Sequence, residues 1–227
     1  MDIRDCEIVE LSHELHPGEE EYHLTVLNRY VDDMLPGYPR PPDAWYIMSE
    51  VAMWSHVGTH LEAPFHYLKD GADCASVPLK RVAGDAVLVD FTDKDVGEPI
   101  TAAELEARGG GIRGGDIVFV RTGRSGAYRT PQSHDRPYFT RDAVAWLVRR
   151  PIACLGADCS GIEKRDEPVQ VCHELLFKNG IPLIEHLAHL ERLRVERFFV
   201  VAVPWRVRGL EACPISVVAF VAHGEGA

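Results

Sequence analysis

The residues best suited to chemistry are three histidines and a glutamate in one short segment: His56, His60, Glu62 and His66. Counted from His56, the other three fall at positions i+4, i+6 and i+10. On a helix, position i+6 would point away from the other three, and Gly58 and Pro64 also disfavour a helix. In an extended segment, by contrast, residues at even offsets all lie on one side. Imidazoles and a carboxylate converging there are suitable ligands for zinc or manganese. The segment therefore predicts a metal site, the alternative being a strand face of solvated histidines.

Other catalytic signatures are missing. The sequence has no G-x-S-x-G nucleophile elbow, because Ser125 in Gly123-Arg-Ser-Gly126 has the wrong spacing. It also lacks a phosphate-binding P-loop and a zinc-binding H-E-x-x-H. Cys172 precedes His173, but adjacent side chains point in different directions, so a Cys–His nucleophile is not expected. Serine or cysteine hydrolysis therefore has no support in the sequence.

Short apolar runs predict the strands that must position these residues. They cover residues 7–15, 46–54, 86–91, 116–121, 152–155, 181–184, 198–203 and 215–221. Helices are predicted between them, over residues 101–107, 140–150 and 174–178, with Thr101 and Thr140 as N-caps. Strands and helices alternate without a linker, so we expect one α/β domain over residues 1–227 with a mixed sheet.

Two further segments have their own patterns. Residues 187–193 predict a short amphipathic turn, and the proline-rich residues 36–42 predict a surface loop or lid. Such a loop is also a candidate for crossing between protomers.

Composition excludes several classes of protein. The 227 residues carry a formal net charge of −11, which argues against non-specific nucleic-acid binding and against a polybasic membrane patch. No apolar run approaches the roughly 18–20 residues needed to cross a bilayer, and the charged start does not resemble a secretion signal. The 6 cysteines include no C-x-x-C pair, so we expect reduced thiols in the cytoplasm.

Several segments resemble the metal-dependent cyclase family, which includes bacterial-type kynurenine formamidases and isatin hydrolases. The histidine segment is similar to the family signature H-x-G-T-H-x-D-x-P-x-H. The other similar segments are Ile8-Val-Glu-Leu-Ser12, Arg121-Thr-Gly123, Gly156-Ala-Asp158-Cys-Ser160, Ile181-Pro-Leu-Ile-Glu185 and Val203-Pro-Trp-Arg-Val-Arg-Gly209 with Cys213-Pro214. Because they follow the family's order over nearly the whole chain, the resemblance implies a swivelling β/β/α, cyclase-like architecture.

The resemblance also implies roles for individual residues. It places metal ligands at five positions, the last two used by two-metal members: His56, His60, Glu62, His173 and Glu185. His66 would be the general acid/base beside a metal-activated water. The implied cofactor is zinc or manganese, as one or two ions. Glu62 stands where the family usually has Asp, so the number of ions stays open. The Arg that often follows the family's S-P is absent after Pro214, so the contacts there also stay open.

The remaining histidines and the nearby aromatic residues have weaker assignments. His13, His186 and His189 are candidate neighbours of the site, although structural or solvated positions are favoured. Surface positions are expected for His16, His23, His134 and His223. Candidate substrate walls, or alternatively core residues, are Trp45, Tyr46, Trp54, Phe65 and Tyr67. Phe65, at odd spacing from the ligands, and Trp54 are expected to face the opposite side, into packing.

The resemblance implies a metal-dependent hydrolase of a small amide or lactone, such as an aryl formamide- or isatin-like compound. Two alternatives remain open. One is a metal-dependent cyclase, dehydratase or isomerase in a biosynthetic pathway, with His66 moving protons. The other is a non-catalytic metal- or ligand-binding module. Family members are commonly dimers or tetramers, so a homodimer or homotetramer is expected.

Overall fold

The structure, a computed structural model, describes residues 3–222. Its strands are β1 (Cys6–Glu10), β2 (Leu24–Tyr30), β3 (Ile47–Met53), β4 (His60–Glu62), β5 (Ala83–Asp90), β6 (Pro99–Ile100), β7 (Ile117–Arg121), β8 (Tyr138–Phe139), β9 (Cys154–Ala157), β10 (Leu183–Glu185), β11 (Arg197–Val201), β12 (Ala212–Pro214) and β13 (Val218–Ala222). Its α-helices are α1 (Val31–Met34), α2 (Ala102–Arg108), α3 (Arg141–Arg149) and α4 (Val171–Lys178). Single 3-10 turns lie at Ile3–Asp5, Pro64–His66, Leu79–Arg81, Ser125–Ala127 and Leu190–Arg192.

Nine strands form one mixed sheet in the order β1-β13-β11-β5-β7-β9-β10-β4-β12. The central strands β5, β7, β9 and β10 are parallel, whereas the strands on both flanks pair antiparallel. The parallel strands are joined by crossovers that carry helices, as parallel pairing requires. The expected α/β fold with a mixed sheet is therefore confirmed.

The β7 strand shows how the sequence builds a core on each face of the sheet. Its residues alternate in direction, so Ile117 and Phe119 join one buried cluster while Val118 and Val120 join the other. The second cluster contains the apolar sides of α2, α3 and α4. A strand buried on both faces reads as a continuous apolar run, which is why residues 116–121 predict it so clearly.

The predicted helix starts are confirmed at both threonines. Thr101 forms a capping box with Glu104, and the Thr140 hydroxyl accepts from the amide of Ala143. The third predicted helix, over residues 174–178, begins earlier, at Val171. The predicted turn over residues 187–193 contains a 3-10 helix at Leu190–Arg192.

The histidine segment does not form the single extended stretch that its even spacing predicts. Only His60–Glu62 is a strand, because a turn precedes it and Pro64 begins a 3-10 turn after it. The predicted first strand is likewise too long, since β1 ends at Glu10. The extended geometry is thus wrong for His56 and His66, which reach the site from turns.

A two-stranded ribbon, β2–β3, forms a sheet of its own beside the main sheet. Residues 36–42 lie in the loop that joins its strands, as predicted. The ribbon and its loop expose large apolar side chains, namely Val26, Leu27, Tyr30, Leu35, Tyr38, Trp45, Tyr46, Met48 and Val51. Within residues 3–222, no helix has the length and apolar character needed to span a membrane.

Candidate metal centre

The candidate metal centre begins at β4, which lies between β10 and β12. His60 and Glu62 leave β4 on the same side, because side chains alternate along a strand. Across the antiparallel pair, Glu185 on β10 lies directly opposite His60. Three of the predicted side chains are therefore placed by sheet register alone.

Three more histidines approach from outside the sheet, from the turn before β4, the 3-10 turn after it and the first turn of α4: His56, His66 and His173. Gly58 shapes the turn before β4. Its φ of 64° is left-handed, and a Cβ there would lie 2.2 Å from the Leu15 Cδ2 atom. The left-handed backbone therefore favours glycine here, and any added Cβ would also have to displace the Leu15 side chain.

Glu62 lies at the centre of the cluster. Its Oε1 atom is 3.2 Å from His56 Nε2 and 3.7 Å from the Nε2 atoms of both His60 and His66. Its Oε2 atom is 3.4 Å from His173 Nε2. One carboxylate thus faces all four imidazoles.

Glu185 supplies the second carboxylate. Its Oε2 atom is 3.7 Å from His60 Nε2, and its Oε1 atom is 3.9 Å from His173 Nε2. The structure therefore brings together the five predicted metal ligands and His66.

Each of three imidazoles is oriented by a hydrogen bond at Nδ1. His60 donates to the Gly58 carbonyl at 2.8 Å, and His173 donates to Glu163 Oε1 at 3.1 Å. His56 Nδ1 is 3.1 Å from the Ser55 hydroxyl, which in turn donates to Glu211. With Nδ1 occupied, each Nε2 faces Glu62, and the Nε2 atoms of His60 and His173 also face Glu185. Outer partners at Nδ1 are a regular feature of metal-binding histidines.

Burial and opposite charges shift the pKa values of the cluster. Burial alone would raise the pKa of Glu62, but the facing imidazoles of His173, His56 and His60 hold it well below the usual value. Burial, followed by the Glu62 charge, raises the pKa of Glu185 to about 7. Burial would lower the pKa of His173, but its bonds to Glu163 and Glu62 raise it to about 10. Without a cation, the negative charge of Glu62 is thus offset by the protonated His173 imidazole.

The donor set fits a divalent metal ion. His56 Nε2, His60 Nε2 and Glu62 Oε2 are buried without a hydrogen-bond partner within the described chain. Two groups have donor atoms within 4.8 Å of one another, His56–Glu62–His66 and His60–Glu62–Glu185, and Glu62 belongs to both. Unpartnered nitrogen and oxygen donors that converge on one region are the chemistry expected of a zinc or manganese site.

The cluster opens into a cavity of about 710 Å³, a size typical of small-molecule sites. Tyr22 and Trp54 form an aromatic side of this cavity. The expectation that Trp54 faces away from the site is wrong, because Trp54 follows the end of β3, two residues before His56, and its side chain lines the cavity. Trp45 and Tyr46 lie on the ribbon and its loop instead, against Tyr30 and Tyr38.

Other cavity residues had no signal in the sequence. They include Tyr22, Arg136, Glu163 and Gln170. Glu163 is the most informative of them, because it is 6% exposed and bonds directly to His173. No spacing rule connects it with His173, since the loop between them has no regular period.

The remaining histidines divide between buried and exposed positions. His186 is buried, with its ring 6.1 Å from that of His60, so the favoured solvated position is wrong. His13 stacks on Tyr128 at 4.1 Å, as a structural residue would. His134 is partly exposed as expected, but it also lines the cavity.

Solvated positions are confirmed for His23 and His189, which are exposed, and for His16, which is partly exposed. His223 lies outside the described residues.

Known proteins resemble this chain both in sequence and in fold. A kynurenine formamidase of Bacillus cereus is 26% identical over 172 residues, which cover 75% of this chain and 78% of the relative. Isatin hydrolase A from Labrenzia aggregata superposes with a TM-score of 0.80 at 21% identity, covering 97% and 95% of the two chains. A potential metal-dependent hydrolase with cyclase activity superposes with a TM-score of 0.77 at 24% identity, covering 96% and 99%. At these identities the solved structures establish the shared fold.

The family assignment rests on a direct match to a family model. The Cyclase model, described as "Putative cyclase", matches residues 9–164, which include the whole histidine segment. This range covers more than half of the 227 residues. The chain belongs to the Cyclase family.

Proposed function

We propose that this protein is a metal-dependent hydrolase that cleaves the C–N bond of a small aryl amide. The observation that carries the proposal is the convergence of four imidazoles on Glu62 at the edge of a cavity. The names of its relatives, kynurenine formamidase and isatin hydrolase, support an amide as the substrate. An isatin-like cyclic amide or a lactone belongs to the same proposal, since its carbonyl undergoes the same addition of water, with an acyl C–O bond broken in the lactone.

The metal-binding role is assigned to five residues: His56, His60, Glu62, His173 and Glu185. They hold zinc or manganese, as one or two ions. A divalent ion supplies two effects here, because it lowers the pKa of a bound water and polarises a carbonyl group. One donor group, His60–Glu62–Glu185, lies wholly within this ligand set, and the other contributes His56 and Glu62 to it.

His66 is the proposed general acid/base. Its side chain is 31% exposed against 4% for Glu62, so it contacts both the cluster and the cavity. During hydrolysis the hydroxyl of water bonds to the carbonyl carbon, and His66 takes the water's proton. It then delivers that proton to the leaving nitrogen as the C–N bond breaks. Tyr22 and Trp54 provide aromatic area for the ring of the substrate.

A substrate panel tests this function. Wild type and His66→Ala are compared on N-formylkynurenine, isatin and a set of lactones, with bound metal measured in the same samples. We expect wild type to hydrolyse at least one amide and the variant to retain its metal but lose activity. Metal binding without hydrolysis of any panel member would contradict the proposal and favour a cyclase, dehydratase or isomerase. Absence of metal in wild type would favour a non-catalytic binding module.

The proposal includes assembly of identical chains within the cytoplasm. A two-stranded ribbon is marginally stable alone, and β2–β3 exposes Val26, Leu27 and Val51 at more than 40% each. Packing against a second copy would cover these side chains. Light scattering after size exclusion tests the dimer or tetramer. Buried thiols outside any disulfide, such as Cys154 and Cys159, support a reducing compartment.

A further inference from the structure

The Glu163 carboxylate makes three hydrogen bonds through a single oxygen. Its Oε1 atom accepts from the backbone amide of Cys172 at 2.7 Å, from that of His173 at 3.0 Å and from His173 Nδ1 at 3.1 Å. Glu163 is 6% exposed, so little water competes for these bonds. The same carboxylate therefore holds both the main chain and the ring of His173.

The loop that carries Glu163 is itself anchored. Arg136 donates through Nε to the Gly161 carbonyl at 3.0 Å and through Nη2 to the Glu163 carbonyl at 3.3 Å. Phe139 donates its amide to the Ile162 carbonyl at 2.8 Å. The carboxylate is thus presented from a backbone that three donors fix in place.

Helix α4 needs this carboxylate at its start. Gln170, at the N-cap position, makes no side-chain capping bond. Glu163 instead satisfies the first-turn amides of residues 172 and 173 from outside the helix, and its negative charge suits the positive end of the helix dipole. Loss of the carboxylate would therefore release the turn from which the imidazole projects.

We propose that Glu163 is a positioning residue for metal binding, which fixes the tautomer and direction of the His173 ring. With Nδ1–H donated to Glu163, Nε2 is the ring nitrogen left to bind an ion, and it faces Glu62 and Glu185. The inference rests on the metal-dependent function proposed above, but it concerns metal affinity and ring geometry rather than turnover.

The test compares two glutamates on the same loop. Glu163→Gln keeps the size and one acceptor oxygen but removes the charge. Glu167→Gln makes the same change at an exposed residue that lines the same cavity, and serves as the matched control. Zinc affinity of the metal-stripped full chain is measured by competition with a chromophoric chelator. We expect about 10- to 100-fold weaker binding for Glu163→Gln, the usual cost of losing an outer-shell partner, and a change below about twofold for Glu167→Gln.

A second measurement separates positioning from simple helix capping. In zinc-loaded protein with ¹⁵N-labelled histidine, the His173 Nδ1–H proton should give a low-field NMR signal that shifts upfield or exchanges away in Glu163→Gln. A merely structural role would lower the Tm of the stripped variant and leave zinc affinity and this signal unchanged. Three results would overturn the inference. They are unchanged zinc affinity and NMR signal in Glu163→Gln, an equal loss of zinc affinity in Glu163→Gln and Glu167→Gln, and no zinc binding by wild type. If Glu163→Gln binds zinc more weakly but the wild-type protein hydrolyses no substrate, the positioning role of Glu163 stands and only the proposed function is refuted.

Discussion

Glu62 and His173 are far apart in the sequence, yet their side chains meet, with Oε2 3.4 Å from Nε2. Glu62 comes from β4 at the start of the site, and His173 comes from the first turn of α4. The candidate metal centre therefore joins the antiparallel flank of the sheet to the crossover helix between the parallel strands β9 and β10. We predict that metal binding there depends on the charge of Glu62.

Removing that charge should abolish tight metal binding. In Glu62→Gln the four imidazoles lose the anion that they face, so we expect zinc affinity to fall by more than about 100-fold, or roughly 2.7 kcal/mol. Glu174→Gln is the control, because Glu174 is the neighbour of His173 but forms an exposed ion pair with Lys178. Competition titrations of the two variants give the comparison. Equal affinities would show that Glu62 does not bind the ion.

Two histidines of the same segment should differ in their effects. His60 is 2% exposed and lies between both carboxylates, so His60→Ala should lose bound metal. His66→Ala should keep metal affinity within about threefold, while kcat falls about 10²- to 10⁴-fold as expected for a lost general acid/base. Metal analysis and steady-state kinetics on the same preparations separate these roles. Loss of metal in both variants would make His66 a ligand.

The sequence predicted the composition of the site better than its geometry. Even spacing identified His60 and Glu62 correctly as strand neighbours, since side-chain alternation is a local rule. It could not predict that turns carry His56 and His66 to the same place, because those turns depend on Gly58 and Pro64 within a packed environment. Glu163 was missed because its contact with His173 is made by tertiary folding of an irregular loop.

The buried strands were predicted well for the same local reason. Residues 117–120 are apolar on both faces, as expected for a strand between two cores. The short strand β4 and the position of β12 beside it could not be derived, because they follow from register across the sheet. His186 was expected to be solvated because its side chain is polar, but the folded chain buries it. Polarity predicts exposure only where tertiary packing does not enclose the side chain.

Gly58 should be intolerant of any side chain. In Gly58→Ala the left-handed φ of 64° and the contact with Leu15 should together lower the free energy of unfolding by about 2 kcal/mol. Gly84→Ala is the matched control, since a Cβ there would meet no atom within 4 Å. Urea unfolding of the metal-stripped proteins provides the measurement. A stability for Gly58→Ala equal to that of the control would contradict the assigned turn.

The ion pair between Asp116 and Arg197 should make stability depend on pH. Asp116 Oδ1 is 2.7 Å and Oδ2 is 2.9 Å from the guanidinium nitrogens. Burial would raise the pKa of Asp116, but the bonds from Arg197 and from the Arg113 amide outweigh it and lower the pKa. A carboxyl whose folded pKa is depressed stabilises the protein above its unfolded value of about 3.9 and loses that effect as the pH falls through the folded pKa.

Asp116→Asn should therefore cost stability at neutral pH and little in acid. We expect a loss of about 2 to 3 kcal/mol at pH 7, typical of hydrogen bonds to a charged group. The difference from wild type should narrow as the pH falls below about 4. Urea unfolding at a series of pH values tests this, and a difference that stays constant across the series would argue against the ion pair as its source.

Removal and return of metal test the central claim most directly. The full chain is stripped with a chelator, and bound zinc or manganese is then counted while hydrolysis of N-formylkynurenine and isatin is followed during re-addition. We predict that the stripped protein is folded but inactive, and that activity on at least one amide returns in proportion to bound metal, with no return in His60→Ala. Full activity in the stripped protein, or stoichiometric metal without any amide hydrolysis, would contradict the account.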